Sequence, residues 1–263
     1  DSYAPSVALA GGRCVHLQLD PGDFSIDWQQ LADALTPRTR LVVLNSPHNP
    51  SGALLSSKDL DQLAQLIADR DIYVLSDEVY EHLVYDDVKH ACVLAHEQLY
   101  RRAFVVSSFG KTYHVTGWKT GYVIAPPALT GELRKVHQYV NFCGVTPLQY
   151  ALADFMAEHP EHVDALPAFY QAKRDLCCGL LQDSRFSFTP TAGTYFQLVD
   201  YSNIRPDLDD VQMATWLTRE HGVATIPISV FYQQPVPGQR LLRLCFAKRE
   251  ETLRQAAEKL CAI

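Results

Sequence analysis

The sequence predicts an α/β fold with a mostly parallel, doubly wound sheet. Short apolar runs recur along the first half of the chain, and amphipathic helical patterns separate them. Turn-forming residues follow the runs. Strands that alternate with helices favour a parallel sheet with helices on both faces. Beyond this part, helical patterns dominate and the strands are short, which predicts a second, smaller α+β domain.

Four apolar runs are the predicted strands of the sheet. They are residues 41–44, 72–75, 103–106 and 121–125. The run at 41–44 is continuous, which is typical of a strand covered on both faces. Ser56 and Asp59 form the pattern of a capping box at the start of a helix. That helix is predicted to place Leu60, Leu63, Ala64 and Ile67 on its buried face.

The N-terminal part carries weaker signals. Residues 13–19 alternate in polarity and predict a strand. Residues 1–5 resemble the end of a strand followed by a turn, and Asp27 is placed to cap a helix that ends near Pro37. The chain begins with Asp1 rather than Met and shows no targeting pattern. We therefore expect an N-terminal portion to precede Asp1.

Pro126 and Pro127 mark a change in pattern. Helical periodicity follows at 129–141, 147–158 and 161–183, then at 210–221 and 250–261. Short strands are predicted near 186–188, 195–199 and 241–246. The sequence thus predicts two domains, with a large domain at 1–150 and a small C-terminal domain at 151–263.

The composition excludes several classes of protein. The 263 residues carry a formal net charge of −7 without a basic block, which disfavours nucleic acid as a partner. No apolar run approaches the about 18 residues of a membrane span. The seven cysteines form no Cys-x-x-Cys pair and no zinc-like cluster with histidine, so no metal site is expected. Scattered, unpaired cysteines favour the reducing cytoplasm.

The segment 107–119 carries the most chemistry. It follows a predicted strand and contains Ser108, Lys111 and Lys119. Of two lysines with unequal surroundings, one can be desolvated, with a lowered pKa, and form a Schiff base. The other can stay charged and bind an anion such as phosphate. Taken alone, the segment is a weak signal, and an exposed loop that carries solvated lysines is the more common explanation of such a pattern.

Other strand ends supply matching groups. Asn49 follows the first predicted strand, and Asp77 and Tyr80 follow the second. Ligands of open α/β sheets bind beyond the carboxyl ends of the strands. Pyridoxal 5′-phosphate (PLP) needs a lysine for its aldehyde, a carboxylate for its ring nitrogen, donors for its phenolic oxygen, and hydroxyls and cations for its phosphate. The sequence therefore predicts a PLP site.

Each of these residues alone has an ordinary structural explanation. Asn49 suits a turn, Asp77 a helix cap, and Tyr80 a core position. Arg243 lies in an apolar strand pattern, where a structural ion pair or the binding of a substrate carboxylate would each satisfy its charge. Their occurrence at successive strand ends favours the cofactor site.

The sequence resembles the class I/II aminotransferases of PLP-dependent fold type I, in their methionine and kynurenine aminotransferase branch. The resemblance covers essentially the whole chain. It lies in residues 44–52 (LNSPHNPSG), 76–82 (SDEVYEH), 107–113 (SSFGKTY), 116–119 (TGWK), 193–196 (GTYF) and 243–248 (RLCFAK).

The resemblance implies a role for each site residue. Lys111 binds the cofactor covalently and moves the substrate proton, and Asp77 pairs with the ring nitrogen. Asn49 and Tyr80 hold the phenolic oxygen. The phosphate ligands are Ser108 and Lys119, and the substrate carboxylate is held by Arg243 with Asn49. Many relatives have arginine where Lys119 stands, and lysine keeps the positive charge.

The resemblance also implies a homodimer that transfers the amino group of an amino acid to a 2-oxo acid. Residues 139–146 contain no arginine or lysine to bind a distal carboxylate. Tyr80, Tyr113 and Phe142 offer aromatic surface instead, which favours methionine and aromatic substrates. The family has about 120 further residues before Asp1, including an arm that closes over the site. A β-lyase acting on cysteine S-conjugates, and an aminotransferase-like domain of a PLP-sensing transcriptional regulator, remain alternatives.

Overall fold

The structure, a computed structural model, describes residues 2–263. Within this range the seven strands are β1 Leu41–Asn45, β2 Tyr73–Asp77, β3 Ala103–Ser108, β4 Gly121–Ile124, β5 Phe196–Asp200, β6 Ile226–Pro227 and β7 Leu241–Cys245. The ten α-helices are α1 Tyr3–Leu9, α2 Trp28–Ala34, α3 Ser57–Ile67, α4 Glu97–Tyr100, α5 Phe109–Thr112, α6 Pro127–Val140, α7 Thr146–Glu158, α8 Glu161–Leu181, α9 Asp210–Trp216 and α10 Glu250–Cys261. The same residues contain no helix with both the length and the apolar character that crossing a bilayer requires.

The chain forms two compact units. The central unit comprises Pro37–Ala172 and Ala192–Tyr195. The flanking unit comprises the residues up to Thr36, then Lys173–Thr191 and Phe196–Ile263. The predicted division into domains at 1–150 and 151–263 remains a prediction.

The central unit contains a four-stranded sheet in the order β1-β2-β3-β4. β1, β2 and β3 are parallel, and β4 runs antiparallel to β3. Asn45 pairs with Asp77, and Asp77 pairs with Val106. The ends of three parallel strands therefore meet at one edge of the sheet. The predicted α/β class with a mostly parallel sheet is confirmed.

The prediction that both faces of the first strand are covered is wrong. Val42 and Leu44 are buried, whereas Leu41 and Val43 are 38% and 39% exposed. Successive side chains of a strand point to opposite faces, so one face of β1 is covered and the other is half-open. A continuous apolar run does not show whether the second face has a neighbour.

The helix starts predicted from capping residues are confirmed. Ser56 Oγ accepts a hydrogen bond from the Asp59 N–H at 3.3 Å, and the Asp59 carboxylate accepts one from the Ser56 N–H at 2.7 Å. This reciprocal pair starts α3, whose buried side chains are the four predicted ones. Asp27 likewise accepts hydrogen bonds from the N–H groups of Gln29 and Gln30 at the start of α2.

Two predictions for the N-terminal part are wrong. Residues 13–19 form no strand, and Tyr3–Leu9 is a helix rather than a strand end and turn. Val15 is 57% exposed, and no neighbouring strand pairs with this segment within the described residues. Alternation in polarity cannot by itself form a strand, because a strand needs a partner for its backbone hydrogen bonds.

The flanking unit contains an antiparallel sheet in the order β5-β7-β6. β5 and β7 lie where strands were predicted, and α10 has the predicted bounds. Residues 186–188 contribute only an isolated bridge, between Ser187 and Asp200. The two-residue strand β6 was not predicted, since so short an element leaves no pattern.

Candidate active site

The loops after β1, β2 and β3 carry most of the predicted site residues. Asn49 lies in the loop after β1, while Asp77 ends β2 and Tyr80 follows it. Ser108 ends β3, and Lys111 lies on the one-turn helix α5 directly after it. Because the strands are parallel neighbours, the central unit places these residues along one edge of its sheet.

Asn45, the last residue of β1, connects two of these segments. Its Oδ1 accepts a hydrogen bond from the Asn49 N–H at 2.9 Å, and its Nδ2 donates to the Asp77 carbonyl oxygen at 3.0 Å. The Ser46 N–H donates to the same carbonyl at 3.1 Å. The loop that carries Asn49 is thereby fastened to the end of β2.

The loop after β1 is also closed by its own hydrogen bonds. The His48 N–H donates to the Ala53 carbonyl at 2.9 Å, and the Gly52 N–H donates to the His48 carbonyl at 2.7 Å. His48 Nδ1 lies 2.7 Å from Ser51 Oγ. Burial lowers the pKa of His48 to about 4, so the imidazole is neutral near pH 7. Gly52 has a φ of +76°, which favours glycine at this turn.

Tyr80 is buried, and its ring packs edge-on against Tyr195 at a centroid distance of 5.2 Å. Tyr195 follows Gly193, whose backbone lies close to the Asn49 loop. A Cβ added to Gly193 would lie 2.9 Å from both Pro47 Cβ and Leu54 Cδ2. Gly193 therefore packs against the Asn49 loop, and Tyr195 packs against Tyr80.

Sequence reasoning missed the role of Glu78, which stands between Asp77 and Tyr80. Glu78 is 1% exposed, and its carboxylate accepts hydrogen bonds from Ser76 Oγ at 2.8 Å and the Val93 N–H at 3.1 Å. His90 Nε2 lies 2.7 Å from its second oxygen. Burial alone would raise the pKa of Glu78, but the hydrogen bond and charge of His90 and the Val93 N–H outweigh it, so the pKa is lowered. A charged residue beside a buried strand end was the available signal.

Lys111 is half-buried on α5, which is tightly anchored. Ser108 caps the helix by accepting a hydrogen bond from the Gly110 N–H at 3.1 Å. Thr116 Oγ1 donates to the Gly110 carbonyl at 3.0 Å. A Cβ on Gly110 would lie 2.8 Å from Thr116 Cα, so only glycine allows this approach. These contacts fix the backbone of Gly110, directly before the lysine.

Lys119 is exposed and has a left-handed φ of +54° at the end of the 3₁₀ turn Thr116–Trp118. Its segment returns to the start of α5, because the Phe109 N–H donates to the Thr120 carbonyl at 3.2 Å. Ser108 also pairs with Gly121. The structure thus brings the segments of Ser108 and Lys119, the two predicted phosphate ligands, next to each other.

The neighbouring residue Ser107 faces the other side of the sheet. Its hydroxyl and that of Tyr122 donate to Glu81 Oε1 at 3.0 and 2.6 Å. Burial and the nearby Glu81 carboxylate raise the pKa of Tyr122 to about 12.

A largely apolar pocket of about 380 Å³ is lined by His82, Phe109, Thr112, Tyr113, Tyr122, Met156 and Val163. None of the predicted cofactor ligands lines this pocket.

Arg243 lies on β7 in the flanking unit. Its guanidinium carbon is 3.9 Å from the centroid of the Phe196 ring and 5.2 Å from that of Phe231. Stacking on an aromatic face stabilises the cation and restrains the plane of the guanidinium. The structure therefore places Arg243 on an aromatic surface of that unit.

The central unit thus combines a mostly parallel sheet with strand ends that carry a carboxylate, a hydroxyl and a lysine. The chain belongs to the family described as aminotransferase class I and II, whose model matches residues 1–260. The predicted family is thereby confirmed.

Several relatives with this fold are known. The chain is 55% identical over 260 residues to the methionine aminotransferase of Escherichia coli K12, covering 99% of this chain and 67% of the relative. It is 33% identical to the mouse kynurenine–oxoglutarate transaminase 1, covering 99% and 68%. The structure matches Escherichia coli YbdL, for which a methionine aminotransferase function is identified, with a TM-score of 0.96 and 54% identity over 100% of this chain and 69% of that one. N-succinyldiaminopimelate aminotransferase from Mycobacterium tuberculosis matches with a TM-score of 0.92 and 35% identity, covering 99% and 68%.

Proposed function

We propose that this aminotransferase uses PLP at the edge of the central sheet. The observation that carries the proposal is the placement of Asp77, Ser108 and Lys111 at the ends of neighbouring strands. The donor set fits the cofactor, because it combines two amines, one carboxylate, and hydroxyl and amide groups. When bound, PLP withdraws electrons from the substrate Cα and so makes its proton acidic.

The residues of the site divide the remaining work. Lys111 would hold the cofactor through its aldehyde and would carry the proton of the substrate Cα. Asp77 would hold the ring nitrogen of the cofactor, and its negative charge would favour the protonated form of that nitrogen. Asn49 and Tyr80 donate to the phenolic oxygen. Because Tyr80 is buried against Tyr195, its position is fixed by packing.

The outer groups bind anions. Ser108 and Lys119 hold the phosphate, and their segments are joined by the β3–β4 pairing. Arg243, together with Asn49, holds the α-carboxylate of the substrate through a two-pronged hydrogen bond. Stacking on Phe196 presets the plane of the guanidinium for that contact.

We further propose methionine and other apolar or aromatic amino acids as donors, with a 2-oxo acid as acceptor. The names of the relatives, methionine aminotransferase and kynurenine–oxoglutarate transaminase, support this class. Residues 139–146 also contain no lysine or arginine that could pair with a side-chain carboxylate. Burying a carboxylate without a partner costs several kcal/mol, which disfavours aspartate.

The cofactor proposal is tested by adding PLP to the protein, reducing with borohydride and mapping the labelled peptide. We expect the label on Lys111. Lys111→Ala should lose the label and lower turnover by about 10²-fold or more, since the covalent anchor and the proton carrier disappear together. Lys119→Ala is the matched control, and it should weaken PLP binding while keeping the label. A label on Lys119 would overturn the assignment of the two lysines.

The substrate proposal is tested by comparing kcat/KM for methionine, phenylalanine and aspartate with a common 2-oxo acid acceptor. We expect methionine to exceed aspartate by at least about 10²-fold, because only aspartate buries an unpaired charge. Equal values for methionine and aspartate would contradict the proposal. Release of ammonia and pyruvate from a cysteine S-conjugate, without amino transfer, would show a β-lyase instead.

We also propose a homodimer in the cytoplasm. α6 and the residues after it expose large apolar side chains: Tyr139 is 86% and Val140 80% exposed, and Phe142 is also exposed. Contiguous exposed apolar surface marks an interaction site. All seven cysteines are free thiols, as suits a reducing compartment. Sedimentation equilibrium tests the assembly, and a monomer that retains full activity would contradict it.

A further inference from the structure

Asn45 uses both ends of its side-chain amide on two different segments of the site. Its Oδ1 accepts from the Asn49 N–H at 2.9 Å, while its Nδ2 donates to the Asp77 carbonyl at 3.0 Å. Asn45 and Asp77 are directly paired across β1 and β2. One short, half-buried side chain therefore spans the gap between a loop and the neighbouring strand end.

The chemistry of this bridge selects asparagine. The bridge needs an acceptor and a donor at fixed separation in one planar group, and a primary amide supplies both. Aspartate keeps the acceptor but has no donor when ionised, and glutamine is one methylene longer. The Asp77 carbonyl already accepts the Ser46 N–H at 3.1 Å, so the Asn45 amide provides its second donor.

We propose that Asn45 is a positioning residue that sets the distance between Asn49 and Asp77. The inference rests on the proposed function, in which Asn49 donates to the phenolic oxygen and Asp77 binds the ring nitrogen. These two atoms belong to one rigid ring, so their protein partners must keep a fixed separation. Asn45 holds both residues by their backbones, and a shift of either segment is passed to the other.

The test compares two variants that cut the bridge differently. Asn45→Ala removes both hydrogen bonds, whereas Asn45→Asp keeps the acceptor for the Asn49 N–H and turns an anion toward the Asp77 carbonyl. Ser46→Ala is the matched control. It removes a different side-chain bond in the same loop, because Ser46 Oγ accepts from the Leu55 N–H at 3.0 Å.

The first readout is amide hydrogen exchange measured without PLP. We expect the Asn49 N–H to exchange about tenfold faster in Asn45→Ala, the effect of losing one hydrogen bond, and to stay protected in Asn45→Asp and Ser46→Ala. An unchanged exchange rate of the Asn49 N–H in Asn45→Ala would contradict the proposed bridging role of Asn45. This readout is independent of the proposed function.

The second readout is the pH titration of the absorbance of bound PLP, which reports the groups around its ring. Both Asn45 variants should shift the titration midpoint and raise the Kd for PLP by about tenfold, whereas Ser46→Ala should leave the midpoint in place. A loss of stability in all three variants without any shift of the midpoint would mean that Asn45 is only structural. If the wild-type protein did not bind PLP at Lys111, the proposed function would fail, while the exchange result would still decide the bridge.

Discussion

The half-buried, neutral His48 predicts a specific dependence of stability on pH. Its pKa is lowered from 6.5 to about 4 by burial, so the folded protein resists protonation that the unfolded chain accepts. The unfolded state therefore binds more protons as the pH falls below 6.5, and the folded state loses stability until about pH 4. Linkage over this interval gives a loss of about 2 kcal/mol between pH 7 and pH 5.

The variant His48→Asn removes the titrating group and keeps a polar side chain next to Ser51. Its free energy of unfolding should fall by about 2 kcal/mol less than that of the wild type when the pH is lowered from 7 to 5. Urea denaturation at several pH values measures this difference. His16→Asn, which alters an exposed histidine, serves as the control and should retain the wild-type dependence. Parallel pH profiles for His48→Asn and the wild type would refute the reasoning.

Two further substitutions test the packing around the site. Gly193→Ala places a Cβ 2.9 Å from Pro47 and Leu54. It should lower the free energy of unfolding, measured by urea denaturation, by about 1–3 kcal/mol and weaken PLP binding. A variant as stable as the wild type would show that Pro47 and Leu54 can move aside without cost. Glu78→Gln puts an amide in place of a buried carboxylate that accepts several hydrogen bonds. It should lower the free energy of unfolding by about 1–3 kcal/mol at pH 7. That cost should shrink as the pH falls below 4.5, the ordinary pKa of glutamate, because the partners of Glu78 stabilise the fold only while its carboxylate is charged.

Local signals in the sequence predicted local structure well. The capping box of Ser56 and Asp59 needs only four residues, so its pattern is readable without knowledge of the fold. Residues 13–19 show the opposite case, since alternation predicted a strand that has no partner. The open face of β1 was missed for the same reason, because exposure depends on neighbours that are distant in the chain.

In the candidate site too, local patterns in the sequence predicted some residues, whereas residues that depend on distant contacts were missed. Residue types at strand ends pointed to Asn49, Asp77 and Lys111, because parallel strands collect such residues at one edge. The hydrogen bonds of Asn45 and Glu78 depend on strand register and on a distant loop around His90, and no short pattern encodes either. The roles of these two residues depend on the folded structure.

The pairing of Ser108 with Gly121 joins the two ends of the segment 109–120, which carries Lys111 and Lys119, and so closes it into a loop. A loop whose ends are held together has few conformations to lose when a ligand orders it, so this pairing lowers the entropic cost of binding. The two strands also approach closely at this pair: a Cβ on Gly121 would lie 2.5 Å from the Ser107 carbonyl oxygen. A side chain there would separate β3 from β4 and release both ends of the loop, although Gly121 itself touches no ligand in the proposed site.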